Sequence, residues 1–161
     1  MHPPTRPRDA GVPEIQGNAM GRTILAAVVG IVVAMLTITL VEWAGHQAWP
    51  PPPGLDPMVA DDMARIIALQ PFGALLVVVV AWVVGAFDGG LVAALVARDK
   101  RPRLAAVVPA LVVTAGVVGM IMMMPSHPAW MAIAGLLLPV PAGLAGAQLA
   151  AAMRRRPGAV A

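Results

Sequence analysis

Apolar residues gather into four long runs, and the short segments between these runs hold most of the charged residues. The runs cover residues 23–41, 72–97, 104–124 and 129–153. A helix needs about 20 apolar residues to cross the hydrocarbon core of a bilayer, which is about 30 Å thick. The runs also lack the alternation of apolar and polar positions that barrel strands show. The pattern therefore predicts an all-α polytopic membrane protein with four transmembrane helices in a bundle.

The connection between the first two runs contains a further helical pattern. Asp56-Pro57 is typical of a helix start, because the carboxylate can cap free N–H groups and proline fits the first helical position. Spacing predicts a face made of Val59, Met63, Ile66, Ile67 and Gln70, with Asp61, Asp62 and Arg65 largely elsewhere. We expect a short amphipathic helix on the outer surface or over the bundle, ending before Pro71.

The chain divides into a transmembrane domain and two tails. Residues 1–21 are rich in proline, arginine and glycine and are expected to form a disordered cytoplasmic tail. Residues 22–153 form the predicted transmembrane domain, and residues 154–161 form a basic cytoplasmic tail. No signal-peptidase site follows the first run, so we interpret this run as a retained span.

The composition indicates that lipid surrounds part of the protein, and it excludes some kinds of chemistry. The chain is 59% hydrophobic and 12% charged, whereas soluble domains are about 45–50% apolar and about 25% charged. There is no cysteine, which excludes disulfides and thiolate chemistry. The basic residues occur at the ends of the apolar runs, without any nucleic-acid motif. Arginine outnumbers lysine ten to one, and alanine, glycine, valine and proline are abundant, a composition typical of a GC-rich bacterial genome. We expect a location in the bacterial inner membrane.

The charge distribution predicts the orientation of the helices. Of the 11 lysines and arginines, Arg65 alone falls on the side that holds residues 42–71 and 125–128. The other side holds Arg6, Arg8, Arg22, Arg98, Lys100, Arg101, Arg103, Arg154, Arg155 and Arg156. Basic residues are concentrated in cytoplasmic segments. Both termini are therefore expected to be cytoplasmic.

A single carboxylic acid, Asp88, lies inside the second apolar run. Counted from Arg98 along a helix it is about 15 Å deep, near the bilayer midplane. An aspartate there costs about 2.5–3.5 kcal/mol on insertion scales. Gly85 and Gly89 form a G-x-x-x-G pair beside it, Gly90 adds another small position, and such residues let a second helix approach closely. We expect Asp88 to face a neighbouring helix.

Two polar side chains at similar depth are candidate partners for Asp88. Thr114 lies in the third run, and Gln148 in the fourth run is about one turn nearer the cytoplasm. Thr37 and Thr39 in the first run are expected nearer the outer end, where they could extend a polar path or bond to their own helix backbone. A neutral Asp88 can donate a hydrogen bond to Thr114 or Gln148. The structural interpretation is an interhelical hydrogen bond worth about 0.6 kcal/mol, and the functional one is a proton or cation relay.

The fourth run combines prolines with small residues. Pro139 and Pro141 are expected to kink it, and Pro109 is expected to bend the third run in the same way. Gly143 and Gly146, with the alanines around them, predict two adjacent faces for close helix packing.

Glu42, His46 and His127 form a candidate metal site at the outer rim. Glu42 and His46 are four residues apart, so a continuing helix would place them on one face. His127 lies at similar depth in the other outer loop, near Met120, Met122, Met123, Met124 and Met131. Imidazole and carboxylate suit zinc or copper, and thioethers suit cuprous copper. The alternative is a polar collar with methionines as flexible packing. We expect no cofactor.

The chain resembles a class of small bacterial inner-membrane proteins without an assigned activity. The resemblance rests on Glu42-x-x-x-His46, the following Pro-Pro-Pro-Gly, and the aromatic and glycine positions Trp82, Gly85, Gly89 and Gly90. It extends over residues 21–153. It implies the four-helix topology, and no site residue carries over from it.

Three functions remain open at this stage. The first is a non-enzymatic accessory or scaffold subunit, which forms an oligomer or binds a membrane protein partner. The second is a small proton- or cation-linked transporter or channel centred on Asp88, and the third is a metal-handling protein of the outer rim. We expect no enzyme, because the sequence has no catalytic triad at recognisable spacing, no phosphate-binding glycine loop and no paired intramembrane carboxylates.

Overall fold

The computed structural model describes residues 15–97, 102–124 and 126–155, and all the secondary structure in these ranges is helical. In chain order the helices are α1 (Ile15–Ala48), α2 (Ala60–Leu69), α3 (Phe72–Ala97), α4 (Pro102–Met123), α5 (Ala129–Leu137) and α6 (Pro139–Arg154). Helices α1, α3 and α4 and the pair α5–α6 supply four segments that are long and apolar enough to cross a membrane. The predicted all-α, multi-pass bundle is confirmed.

Helix α1 is longer than its apolar run. It begins at Ile15, inside the predicted disordered tail, and continues to Ala48. Its length of about 51 Å exceeds the hydrocarbon core of about 30 Å. Residues 1–14 of the predicted tail lie outside the described residues, as do residues 156–161 at the other end. Arg154, predicted to begin the basic tail, is the last residue of α6.

Helix α3 occupies the centre of the bundle and packs against α1, α4, α5 and α6. Two arginines attach the first and last helices to its C-terminal end. The Nε of Arg22 donates to the Val96 carbonyl at 3.3 Å, and the guanidinium of Arg154 donates to the Ala94 carbonyl. We call this end the basic end. The opposite end, which carries α2 and residues 124 and 126–128, is the loop end.

Small residues form the core near the basic end. One cluster contains Ala26, Ala93, Ala97 and Ala105, and a second contains Ala94, Ala106, Ala147 and Ala150. Glycines bring main chains together beside these alanines. A Cβ on Gly90 would collide with the Gly143 carbonyl, and one on Gly146 would collide with the Phe87 carbonyl.

Larger side chains fill the core toward the loop end. Trp82, Val113, Val117 and Met131 are all buried there in one cluster. Gly135 on α5 makes room for the Trp82 ring, because a Cβ at Gly135 would lie 2.6 Å from the ring. Near the same end, the rings of Phe72 and Trp130 are 5.0 Å apart.

The prolines of α4 and of the α5–α6 segment have different effects. Pro109 is fully buried inside α4, which continues as one helix from Pro102 to Met123. It packs against Gly30 and Gly89, where added Cβ atoms would lie 2.8 and 3.1 Å from its ring. At Leu138 the fourth span divides into α5 and α6, and Pro139 is the first residue of α6. Proline lacks the N–H that would continue the helical bonding there.

The predicted amphipathic helix is present, but its predicted start is wrong. Helix α2 begins at Ala60, not at Asp56-Pro57. Asp56 instead accepts a hydrogen bond from the Met58 N–H at 2.8 Å, which closes a local turn before the helix. The buried residues of α2 are Ile66 and Ile67, so the predicted apolar face points inward.

Candidate functional site

The intramembrane acid Asp88 lies in a tight contact between α3 and α1. The hydroxyl of Thr37 donates to Oδ2 of Asp88 at 3.3 Å. Gly85 lies three residues before Asp88 and Gly89 one residue after it, and they pack against Ala34 and Gly30 of α1. A Cβ on Gly89 would be 2.7 Å from the Gly30 carbonyl oxygen. The glycines therefore bring the backbone of α1 close enough for Thr37 to reach the acid.

The partners predicted for Asp88 are wrong. The hydroxyl of Thr114 donates to the Ala110 carbonyl of its own helix at 3.0 Å. Gln148 is exposed on the outside of the bundle. Thr37 was placed too far out because the first apolar run was taken to end at residue 41. Since α1 continues to Ala48, Thr37 lies deeper, beside Asp88.

The five glycines proposed for helix packing are all buried. Gly85 and Gly89 contact α1, and Gly90 contacts Gly143 of α6. Gly146 contacts the α3 backbone at Phe87 and Leu91. Together these glycines place α3 between α1 and α6 at close range.

A chamber of about 390 Å³ lies at the loop end. Helix α2 covers it, since Met63, Ile66 and Ile67 line one side. The remaining lining residues are Glu42, Gly45, His46, Trp49, Pro51, Pro57, Gln70, Ala74, Leu75, Val77, Val78, Met120, His127 and Met131. Asp88 does not line this chamber. Most of the wall is apolar, with four polar side chains among the lining residues.

Glu42 and His46 reach the chamber from the same face of α1. They are one helical turn apart, as the spacing predicted, and they interact electrostatically. Glu42 is half-buried and His46 is exposed. The helix thus presents a carboxylate and an imidazole together at the chamber wall.

His127 is held in a defined orientation. Its Nδ1 lies 2.8 Å from the carbonyl oxygen of Met124. A carbonyl only accepts hydrogen bonds, so this contact requires a proton on Nδ1. In the neutral ring, Nε2 then carries the lone pair and is a hydrogen-bond acceptor.

Glu42, His46 and His127 all line the chamber but do not form the predicted metal site. Within residues 15–97, 102–124 and 126–155, no three His, Cys, Asp or Glu side chains are grouped closely enough to hold a metal ion. Glu42, His46 and His127 were expected at a similar depth, and they lie around the chamber without being grouped as metal ligands. Its polar groups surround an apolar space large enough for a small organic molecule.

Sequence reasoning missed several residues of these two regions. Thr37 was visible as a polar residue in the first run, but its partner depended on the true length of α1. Gln70 was assigned to the apolar face of α2, and the structure adds that it ends this helix beside the chamber. The packing of Pro109 between Gly30 and Gly89 had no signal in one sequence, because it depends on three helices meeting.

Comparison with protein-family models, with curated proteins and with solved structures finds no match to this chain.

Proposed function

We propose that this chain is a non-enzymatic accessory or scaffold subunit of a bacterial inner membrane, and that it self-associates through α6. The observation that carries the proposal is the exposure of Gln148 on the outer surface of the bundle. Ala145 and Ala152 share its face, because they are three and four residues away, and both are exposed.

An exposed glutamine at this position favours a helix partner. Gln148 lies six residues before Arg154, about 9 Å along the helix, and therefore inside the apolar segment. Lipid tails cannot satisfy its amide, whereas glutamine side chains hydrogen-bond across helix interfaces. Alanines on either side leave room for the second helix to approach. A second copy of the chain supplies a matching amide by symmetry.

Single-cysteine cross-linking in vesicles tests this interface, since the chain has no cysteine of its own. Ala152→Cys is expected to form a disulfide dimer at low protein-to-lipid ratios. Leu25→Cys is the matched control, because it is also exposed near the basic end, on α1. Adding Gln148→Leu should lower the dimer fraction about threefold. The reason is the loss of an interhelical hydrogen bond, which is worth about 0.6 kcal/mol. Equal cross-linking at both positions, or none at Ala152, would contradict the proposal.

The proposed orientation has both termini in the cytoplasm. Support comes from the arginines at the basic end, where Arg22 and Arg154 bond to the same end of α3, together with the preference of basic residues for the cytoplasmic side. Thiol labelling from outside intact cells tests this orientation. A cysteine at exposed Met58 should react with an impermeant reagent, and one at exposed Arg155 should not react.

The transport alternative has weaker support. Asp88 has a hydrogen-bond partner in Thr37 and lies against the glycines that bring α1 and α3 together. A relay needs polar groups that continue from this acid to water on both sides. Thr114, the next candidate, bonds to its own backbone instead. The contact between Asp88 and Thr37 therefore favours a role in packing.

A further inference from the structure

The chamber at the loop end has the properties of a binding site for an organic molecule. Its volume of about 390 Å³ lies in the range of small-molecule sites, which are mostly apolar with a few polar groups. The polar lining residues are Glu42, His46, Gln70 and His127, which come from α1, the end of α2 and the α4–α5 connection. This site does not depend on the self-association proposed for α6.

The polar groups of the chamber favour a ligand that donates hydrogen bonds. The carboxylate of Glu42 accepts and, when ionised, carries a negative charge. The amide of Gln70 accepts through its oxygen and donates through its NH2 group, and the neutral ring of His46 has one acceptor nitrogen and one donor N–H. His127 donates its Nδ1 proton to the Met124 carbonyl, so its remaining ring nitrogen is also an acceptor in the neutral form.

The charge of the lining residues further restricts the ligand. No lysine or arginine lines the chamber, so an anionic head group would meet a carboxylate without a fixed cationic partner. Arg65 on α2 is 71% exposed at its side chain, lies outside the lining and pairs with Asp62 at 3.9 Å. Trp49 is part of the wall and packs against Gly73. An indole ring attracts a cation placed over its face.

We infer that the chamber binds an amphipathic amine, with its ammonium group at Glu42 and its apolar body between α2 and the Val77–Val78 side of α3. The ammonium group donates up to three hydrogen bonds to the acceptors of the wall. The apolar body contacts Ile66 and Ile67, which are already buried. Helix α2 therefore acts as the cover of a ligand site.

Calorimetric titration of the protein in nanodiscs of neutral phosphatidylcholine tests this inference. The probes are naphthylethylamine and naphthylethanol, which share an apolar body and differ in charge. Wild-type protein should bind the amine about tenfold more tightly than the alcohol, the difference expected for a charge-assisted hydrogen bond. Empty nanodiscs give the partition of each probe into lipid. Equal affinity for the two probes, or no saturable binding of the amine, would overturn the inference.

Variants then locate the binding in the chamber. Glu42→Gln keeps the side-chain shape and should weaken amine binding about tenfold while leaving the alcohol unchanged. Asp61→Asn is the matched control, because it removes an exposed carboxylate of α2 that does not line the chamber. Ala74→Phe should block both probes, since Ala74 lines the chamber and phenylalanine would fill part of it. If Glu42→Gln or Ala74→Phe binds the amine like wild type, the ligand lies elsewhere and the inference is wrong.

Discussion

The two halves of the bundle are packed in different ways. Toward the basic end the helices meet through alanine and glycine, and main-chain atoms lie where a Cβ would be. Toward the loop end, tryptophan, valine and methionine fill the core, and a chamber remains under α2. Lipid tails are as apolar as leucine, so helices in a membrane associate through close contact and hydrogen bonds rather than through the hydrophobic effect. In the basic half, the helices contact each other through closely spaced backbones. In the loop half, they contact each other through large side chains, which leave a space between them.

The largest predicted effect concerns the close contact between α3 and α6. Gly90→Leu should destabilise the protein by about 3 kcal/mol or more, because its Cβ meets the Gly143 backbone, which cannot move like a side chain. Unfolding by SDS titration from a mild detergent measures the change. Gly116→Leu is the matched control on α4, where an added Cβ meets nothing within 4 Å. A similar loss in both variants would contradict the difference between the halves.

A smaller effect is expected at the α4–α5 connection. His127→Phe removes the hydrogen bond to the Met124 carbonyl and should cost about 1 kcal/mol, the usual net value of such a bond. Hydrogen exchange of the connection should increase locally while the amides near Gly90 remain protected. Ser126→Ala, at an exposed neighbouring position, should have no effect. Increased exchange throughout α3 would show that the two halves unfold together.

The hydrogen bond between Thr37 and Asp88 links α1 to α3. A double-mutant cycle of Thr37→Val and Asp88→Ala should give a coupling of about 0.6 kcal/mol, the mean for interhelical hydrogen bonds in membranes. Vesicles with an internal pH dye should show no proton flux above protein-free vesicles for wild type. Flux that Asp88→Asn abolishes would support the transport alternative instead.

The smallest expected change is in the chamber. Ala74→Leu should alter the free energy of unfolding by no more than about 0.5 kcal/mol, or stabilise the protein, because the added carbons enter an existing space. The same SDS titration measures it, so Ala74→Leu and Gly90→Leu can be compared directly. A loss of several kcal/mol at Ala74 would mean that the chamber is closed in solution.

The four spans could be predicted from sequence because length and hydropathy determine them directly. The boundary at Phe72–Ala97 was predicted correctly, since Pro71 marks its start. Helix α1 was not, because Glu42, His46 and Gln47 end the apolar run without ending the helix. Hydropathy therefore predicted which segments enter the bilayer, and it could not predict how far a helix extends beyond the core.

The partner of Asp88 and the position of the chamber depend on which helices are neighbours. The depth of a residue along its own helix does not identify the neighbouring helix. By position along their helices, Thr114 and Gln148 were both plausible partners for Asp88, whereas Thr37 was expected nearer the outer end. Gly85 and Gly89 allow α1 to pack closely against α3, and this places Thr37 within hydrogen-bond distance of Asp88. The chamber likewise arises from the position of α2 over the bundle, although its polar residues Glu42, His46 and His127 were recognised from the sequence.

The two arginine contacts on α3 have a consequence for the synthesis of the protein. Arg22 lies on α1 and Arg154 on α6, yet they bond to the carbonyls of Val96 and Ala94, which are two residues apart on α3. During synthesis, Arg22 leaves the ribosome long before Arg154 has been translated. Until then α3 lacks α6, and Gly90 faces an unoccupied groove. The bundle therefore closes only after α6 has been synthesised, and a chain truncated before α6 would leave the face of Gly90 uncovered.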